Sequence, residues 1–164
     1  LWANEKLKFY CVNIHKAMDS VAKVTWPGRM EMVEEGIIVD GAHNPQAIEE
    51  FCRNLNTFYN DKKKTLLFAV SNDKDEDAMI QKLCTLSFEK VYVTVLESQR
   101  KTDSTIEEAV WRNCGCSSVE AIADLSEAFQ IAKKNREKDE ILFCVGSLYL
   151  VGSIKSMIGG QADD

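Results

Sequence analysis

Histidine and proline are scarce in this chain, with two residues of each, and the eight glycines are scattered. No stretch reads G-x-x-x-x-G-K followed by Ser or Thr, and none reads G-x-G-x-x-G, so both common phosphate-binding loops are missing. With so few histidines, no Ser-His-Asp or Cys-His set is evident, and the G-x-S-x-G turn of hydrolases is absent. These absences exclude a self-contained nucleotide-phosphate cradle or hydrolytic centre of those types.

Basic residues are also fewer than acidic ones. The formal net charge is −6, and the only basic clusters are 62–64 and 133–136, which we interpret as solvated ends of a strand and a helix. Binding to nucleic acid needs clustered Lys and Arg, so no nucleic-acid partner is expected. We predict no signal peptide, and the sequence has no apolar run of membrane-spanning length. We therefore expect a cytoplasmic protein without a membrane partner, and a monomer.

The six cysteines mostly fall within apolar helical or strand patterns, as buried thiols do. Cys114 and Cys116 form the only close pair. No second pair and no histidine lies at the spacing of a zinc site, so we expect no metal bound by these residues. Free thiols of this kind are typical of a reducing compartment.

The 164 residues, 45 % of them apolar, suffice for one domain with a short appendage. Residues 5–23 have helical spacing and precede the main pattern, so we assign 1–25 to the tail of a preceding domain or a linker. The main domain is then 26–160. Because the chain starts with Leu1 and ends in a polar tail, we interpret it as a piece of a longer protein.

Apolar strands alternate with amphipathic helices along 26–160, and only the first strand pair requires an antiparallel arrangement. Strands are predicted at Met30–Val33, Ile37–Val39, Thr65–Val70, Lys90–Leu96, Ser118–Ala123 and Ile141–Val145. Asn44 is predicted to cap the first helix, with Pro45 at its first position. The inner faces of the first and third helices are predicted to be Ile48, Phe51, Cys52, Leu55 and Phe58, and Ile106, Ala109, Val110 and Cys114. Continuous apolar strands joined by helices predict an α/β fold, a mostly parallel Rossmann-like sheet of about six strands with helices on both faces.

In such sheets, ligands bind beyond the carboxyl ends of the strands. The residues predicted there are polar: Asp40 and His43 follow one strand, Lys74 another, and Ser147 the last. Helix N-termini lie beside them, and their free N–H groups favour anions.

Each candidate also has a purely structural interpretation. His43 can be a hydrogen-bonding residue without a catalytic role, and Asp40 can cap a turn. Arg29 can pair on the surface with Glu31. The 73–75 segment that contains Lys74 can be a solvated helix start, and Ser147 can be an N-cap alone. Trp26 can be a packing anchor or a surface on which a base stacks.

Two motifs together resemble the C-terminal domain of folylpolyglutamate synthases and dihydrofolate synthases, members of the Mur ligase superfamily. The first is Trp-Pro-Gly-Arg-Met-Glu at 26–31, and the second is Asp-Gly-Ala-His-Asn-Pro at 40–45. The last strand and helix, from Phe143 to Gly152, and the Asp- and Lys-rich loop at 71–75 are similar to the same family. The resemblance covers nearly the whole chain in order and spacing.

The resemblance implies an ATP-dependent amide ligation in a two-lobed enzyme. The N-terminal ATPase lobe would carry the phosphate loop, the Mg²⁺ ligands and most of the folate site. ATP phosphorylates a folate carboxylate, and the amine of L-glutamate attacks the acyl phosphate. By motif match, Arg29 would contact the base or phosphates, Asp40 the ribose, and His43 the phosphates or the incoming amine. Ser147 and Lys74 would hold the glutamate carboxylate.

The resemblance also implies that this chain alone is inactive and that 24–28 is a hinge between the lobes. Two alternatives remain open at this point. One is a lobe of another amino-acid ligase of the Mur superfamily, and the other is a non-catalytic nucleotide-binding module.

Overall fold

The structure, a computed structural model, describes residues 26–71, 74–96 and 104–160. The helix predicted at 5–23 and the first two residues of the predicted hinge lie outside these ranges. Six strands are present in the described part: β1 (Glu31–Glu34), β2 (Ile37–Asp40), β3 (Lys63–Phe68), β4 (Lys90–Val93), β5 (Val119–Ala121) and β6 (Glu140–Val145). Five helices accompany them: α1 (Pro45–Phe58), α2 (Glu76–Leu83), α3 (Ser104–Asn113), α4 (Leu125–Asn135) and α5 (Leu148–Gly159).

The strands form one sheet in the order β1-β2-β6-β3-β4-β5. Only β1 and β2 pair antiparallel, and the other neighbours are parallel. The predicted α/β class with one antiparallel strand is therefore confirmed. The last strand in sequence, β6, lies in the middle of the sheet, where β2 and β3 cover both of its edges.

Helices cover both faces of the sheet and make two apolar layers. Helices α1, α2 and α3 pack on one face, and α4 and α5 pack on the other. The four inner strands β2, β6, β3 and β4 are mostly buried on both sides, which explains why they are continuous apolar runs in the sequence, whereas the edge strands β1 and β5 are partly exposed.

Helix α1 begins as the sequence predicts. The Asn44 side chain accepts a hydrogen bond from the Ala47 N–H at 2.9 Å, and Pro45 occupies the first helical position. Its predicted inner face is buried except at the last residue, because Phe58 is 69 % exposed. Tyr59 takes that place and packs edge-to-face on Phe143, with ring centroids 5.4 Å apart. The buried stripe advances from Leu55 by four residues, not three, so Phe58 turns outward.

Two further predictions are wrong in detail. On α3 the predicted Ala109 is exposed, and Trp111, which was not assigned to the inner face, is fully buried against Phe68. The cluster at 62–64 is not wholly a solvated end, because β3 begins at Lys63 and Lys64 is buried. The Lys64 ammonium donates to the carbonyls of Tyr59 and Lys62, so its charge is solvated by backbone oxygens.

Candidate functional site

Three strands end together at one edge of the sheet. Asp40 at the end of β2 is in register with Val145 of β6, and Val145 is in register with Phe68 of β3. The segments that follow these strands therefore leave the sheet side by side. The sequence predicts Asp40, His43, Lys74 and Ser147 at this common edge.

Asp40 is the centre of this edge. It is 6 % exposed, and each carboxylate oxygen accepts one backbone hydrogen bond of 2.8 Å, from Met30 N–H at Oδ2 and from Ala42 N–H at Oδ1. Arg29 Nη1 lies 3.6 Å from Asp40 Oδ1. The Arg29 side chain remains 44 % exposed, so the ion pair orients a guanidinium that still faces solvent. The suggested surface pair of Arg29 with Glu31 is wrong, because Arg29 faces Asp40.

The turn at 26–30 presents Arg29, and backbone contacts fix it. Arg29 N–H donates to the Trp26 carbonyl at 3.0 Å, and Gly41 N–H donates to the Gly28 carbonyl at 2.7 Å. Gly28 has a φ of +72° and Met30 a φ of +42°. Met30 is strained in this region, and its hydrogen bond to buried Asp40 offsets that strain.

Glu31 ties the same turn to helix α5. Its Oε2 accepts from Gly28 N–H at 2.6 Å, and its Oε1 accepts from Lys155 Nζ at 2.7 Å. The pKa of Glu31 is held below its ordinary value by two hydrogen bonds. The one from the Lys155 ammonium has the larger effect, and the one from the Gly28 N–H has the smaller. The carboxylate therefore stays charged and bonded at neutral pH.

His43 lies beyond β2, directly before the capping residue of α1. Its Nδ1 is 2.8 Å from the Gly41 carbonyl oxygen. Because a carbonyl only accepts, Nδ1 carries the proton, and Nε2 is left as the acceptor of the neutral ring. The half-buried ring is thus fixed by its own turn, with one nitrogen available to a ligand.

Ser147 and Lys74 reach the same edge in different ways. Ser147 is the N-cap of α5, as its structural interpretation holds, and its Oγ accepts from Tyr149 N–H at 3.1 Å. It is 3 % exposed. Lys74 is half-buried, and its N–H donates to the Ser71 carbonyl at 3.0 Å. A role for either residue in binding glutamate stays a prediction.

An open groove of about 930 Å³ lies between the 26–30 turn, β1 and α1. Arg29 and Asp40 line it, with apolar walls from Trp26, Met32 and Phe51. The side chains of Trp26 and Met32 are 70 % and 58 % exposed. A guanidinium and apolar side chains lining the same groove suit a ligand with an anionic group and a flat ring. Arg29, Asp40 and Trp26 are predictable from the sequence, whereas Met32 belongs to neither motif and is not.

Among the described residues, no group of three or more His, Cys, Asp or Glu side chains is placed to hold a metal ion. No helix there is long and apolar enough to cross a membrane.

Known proteins resemble this chain both in sequence and in fold. It is 29 % identical over 134 residues to a probable bifunctional folylpolyglutamate synthase/dihydropteroate synthase of Haloferax volcanii, covering 80 % of this chain and 16 % of the relative. It is 22 % identical over 140 residues to the dihydrofolate synthase/folylpolyglutamate synthase of Bacillus subtilis, covering 84 % of this chain and 32 % of the relative. The chain therefore spans a third or less of the length of these relatives.

A solved structure supports the same fold. E. coli FolC in complex with DHPP and ADP superimposes with a TM-score of 0.79 and 21 % sequence identity, covering 93 % of this chain and 36 % of that one. The family model for the Mur ligase, glutamate ligase domain, matches residues 28–148. That range contains Arg29, Asp40 and all six described strands. The chain thus belongs to the Mur ligase family as a glutamate ligase domain.

Proposed function

We propose that this chain is the C-terminal lobe of an ATP-dependent ligase that adds L-glutamate to a folate through an acyl phosphate. The observation that carries the proposal is the Arg29–Asp40 pair at the carboxyl edge of the sheet, inside a chain of this family. The folylpolyglutamate synthase activity for which both relatives are named supports folate as the acceptor. The ADP bound in the E. coli structure supports a nucleotide site.

In this proposal, Arg29 and Asp40 bind the nucleotide. An exposed guanidinium donates well to phosphate oxygens, and Asp40 holds it in place. Each Asp40 oxygen already accepts one backbone bond. A carboxylate oxygen can accept a second bond, so a ribose hydroxyl can still be accommodated.

His43 is the proposed catalytic residue. With Nδ1–H bound to the Gly41 carbonyl, Nε2 can accept a proton from the incoming ammonium or, when protonated, donate to a phosphate oxygen. Lys74 and Ser147 are the proposed carboxylate-binding residues for glutamate. Ser147 would use its hydroxyl proton, because its oxygen already accepts from Tyr149.

The reaction requires a second lobe in this proposal. The 164 residues contain neither phosphate-loop motif, so the triphosphate and Mg²⁺ would be held by an N-terminal ATPase lobe of the longer protein. Closing this domain over that lobe brings Arg29 and His43 to the phosphates. Closure also excludes water, which would otherwise hydrolyse the acyl phosphate.

The test is glutamate incorporation by the longer protein, with dihydropteroate and tetrahydrofolate offered side by side. We expect ATP- and Mg²⁺-dependent transfer to at least one of them. Arg29→Ala should raise KM for ATP and His43→Ala should lower kcat by about a hundredfold or more. His15, the other histidine of the chain, falls in the helix predicted at 5–23 and outside both motifs, so His15→Ala should leave both constants unchanged. Transfer to neither acceptor would contradict the proposal and favour another amino-acid ligase of the superfamily.

A further inference from the structure

The turn that carries Arg29 is held at Gly28 from two sides. The Gly28 carbonyl accepts a hydrogen bond of 2.7 Å from the N–H of Gly41, which follows β2. The Gly28 N–H donates to Glu31 Oε2 at 2.6 Å. The peptide groups on either side of Gly28 are therefore fixed, one by the end of β2 and the other by a side chain of β1.

The direct contact between Arg29 and Asp40 does not fix the position of the guanidinium by itself. Arg29 Nη1 is 3.6 Å from Asp40 Oδ1, and this distance is longer than a hydrogen bond. The attraction between two charges depends on their separation and not on the direction of a bond, so it leaves the guanidinium free to turn about the carboxylate. The position of the guanidinium therefore depends on where the backbone of the turn places Arg29.

Helix α5 holds the second oxygen of the Glu31 carboxylate. Glu31 Oε1 accepts a hydrogen bond of 2.7 Å from Lys155 Nζ. The same helix packs on the turn, because a Cβ at Gly28 would lie 3.2 Å from Val151 Cγ1. Val151 and Lys155 are four residues apart and share one face of α5. That face therefore touches Gly28 and also holds the carboxylate that accepts from the Gly28 N–H.

We propose that Glu31 is a positioning residue for the nucleotide, because it links Gly28 to Lys155 and so sets the place of Arg29. The inference rests on the proposed function, in which Arg29 donates to phosphate oxygens. Glu31 lines the groove beside Arg29, but its negative charge repels a phosphate, and each of its oxygens already accepts a hydrogen bond. Its effect on the nucleotide therefore passes through the turn.

A second ion pair on β1 provides a matched control. Glu34, at the other end of the strand, accepts a hydrogen bond of 2.7 Å from Lys133 Nζ of α4. The Glu34 and Lys133 side chains are 35 % and 25 % exposed, and those of Glu31 and Lys155 are 29 % and 40 % exposed. Loss of either pair should cost a similar, small amount of stability. Because Glu34 bonds to α4 and not to the Arg29 turn, only the loss of Glu31 should weaken nucleotide binding.

The experiment measures the binding of the non-hydrolysable ATP analogue AMPPNP, with Mg²⁺, to the longer protein by isothermal titration calorimetry. We expect Glu31→Ala to raise the Kd by about tenfold, because the charged donor on the turn is no longer held in place. Lys155→Met breaks only one of the two bonds and should raise the Kd by about threefold. Lys155→Arg keeps the ion pair and Glu34→Ala leaves the turn intact, so both should have an unchanged Kd.

A double substitution separates positioning from a general loss of structure. If Glu31 acts through Arg29, adding Glu31→Ala to Arg29→Ala should change the Kd by less than about twofold. If Glu31 contributes independently of Arg29, the two effects multiply. Non-additivity is therefore the signature of positioning.

Three results would overturn the inference: an unchanged Kd in Glu31→Ala, an equal rise in Glu34→Ala, or effects of Glu31→Ala and Arg29→Ala that multiply. Circular dichroism checks that each variant is folded. If Glu31→Ala does not fold, Lys155→Met and Lys155→Arg decide, and an equal Kd in these two variants overturns the inference.

Failure of the proposed function gives a different result. An unmodified protein that binds the analogue but transfers glutamate to neither acceptor contradicts folate ligation, and the comparison of Glu31→Ala with Glu34→Ala still decides the role of Glu31. An unmodified protein that does not bind the analogue contradicts both.

Discussion

At the scale of single residues, two glycines close together in sequence have opposite requirements. Gly146, between β6 and α5, has a φ of +127°, and a Cβ there would lie 2.3 Å from the Ala69 carbonyl oxygen. Gly152 lies inside α5, and a Cβ there would meet nothing within 4 Å. One position needs glycine for its backbone, whereas the other merely tolerates it.

We predict that Gly146→Ala lowers the free energy of unfolding by about 3 kcal/mol, because both the backbone conformation and the Ala69 contact oppose a side chain. Gly152→Ala should raise it by about 0.5–1 kcal/mol, since alanine favours a helix more than glycine does. Urea denaturation of the two variants measures both effects. Equal and small effects would show that the turn after β6 relaxes freely.

The candidate site could be predicted from the sequence only in part. The positions of Asp40, His43 and Ser147 after strands were predictable, because parallel strands share one carboxyl edge. The Arg29–Asp40 contact depends on a turn that includes a non-glycine residue, Met30, at positive φ. Propensity argues against such a conformation, so the contact could not be anticipated from the residues alone.

At the scale of secondary-structure elements, α1 shows what periodicity predicts well and what it does not. Alternating strands and helices, the Asn44 cap and the inner face up to Leu55 follow from local pattern. The last turn does not, because Phe58 and Tyr59 are both apolar enough to be buried. Tertiary contact with Phe143 decides between them. Trp111 was missed on α3 for the same reason.

We predict that Phe51→Ala lowers the free energy of unfolding by about 4 kcal/mol, since it leaves a cavity beside Phe143. Phe51 is 1 % exposed, and the two ring centroids are 5.8 Å apart. Phe58→Ala is the matched control on the same helix and should change stability by no more than about 0.5 kcal/mol. Thermal or urea unfolding of both variants compares them. A large loss in Phe58→Ala would mean that the exposed ring is covered in solution.

The Glu31–Lys155 ion pair between β1 and α5 makes a pH-dependent contribution to the free energy of unfolding. Because the pKa of folded Glu31 is lowered from its ordinary value of 4.5, the contribution is present above that value and is lost as pH falls through the lower folded pKa. Lys155→Met should lower the free energy of unfolding by about 0.5 kcal/mol at pH 7. The loss is small because both side chains are partly exposed. The difference from the unmodified chain should shrink below about pH 4.5.

Urea denaturation at several pH values measures this difference. The control is Lys62→Met, because Lys62 Nζ lies 4.0 Å from its Asp61 partner and makes at most a weak contact. The difference in free energy of unfolding between that variant and the unmodified chain should not change as the pH falls. If the difference for Lys155→Met stays constant down to pH 3, the ion pair contributes nothing to stability and the substitution has removed only packing.

At the scale of the whole molecule, the carboxyl edge of the sheet carries groups that a folded domain usually covers. Trp26 and Tyr149 are each 70 % exposed and Leu148 is 53 % exposed. A Cβ on Gly28 or on Gly41 would touch Leu148, so this side chain lies against the Arg29 turn. Exposed apolar side chains beside an oriented guanidinium fit the proposed role as one lobe of a shared site.

That role makes a prediction for the chain by itself. The purified 164-residue chain should release no ADP from ATP with Mg²⁺, folate and L-glutamate present, because Arg29 and His43 have no bound triphosphate to act on. The longer protein, assayed in parallel, should release ADP in step with glutamate transfer. Arg29→Ala in the short chain separates true activity from a contaminating ATPase, which that substitution would not change. Metal-dependent ADP release that Arg29→Ala abolishes would show that the short chain holds a complete site.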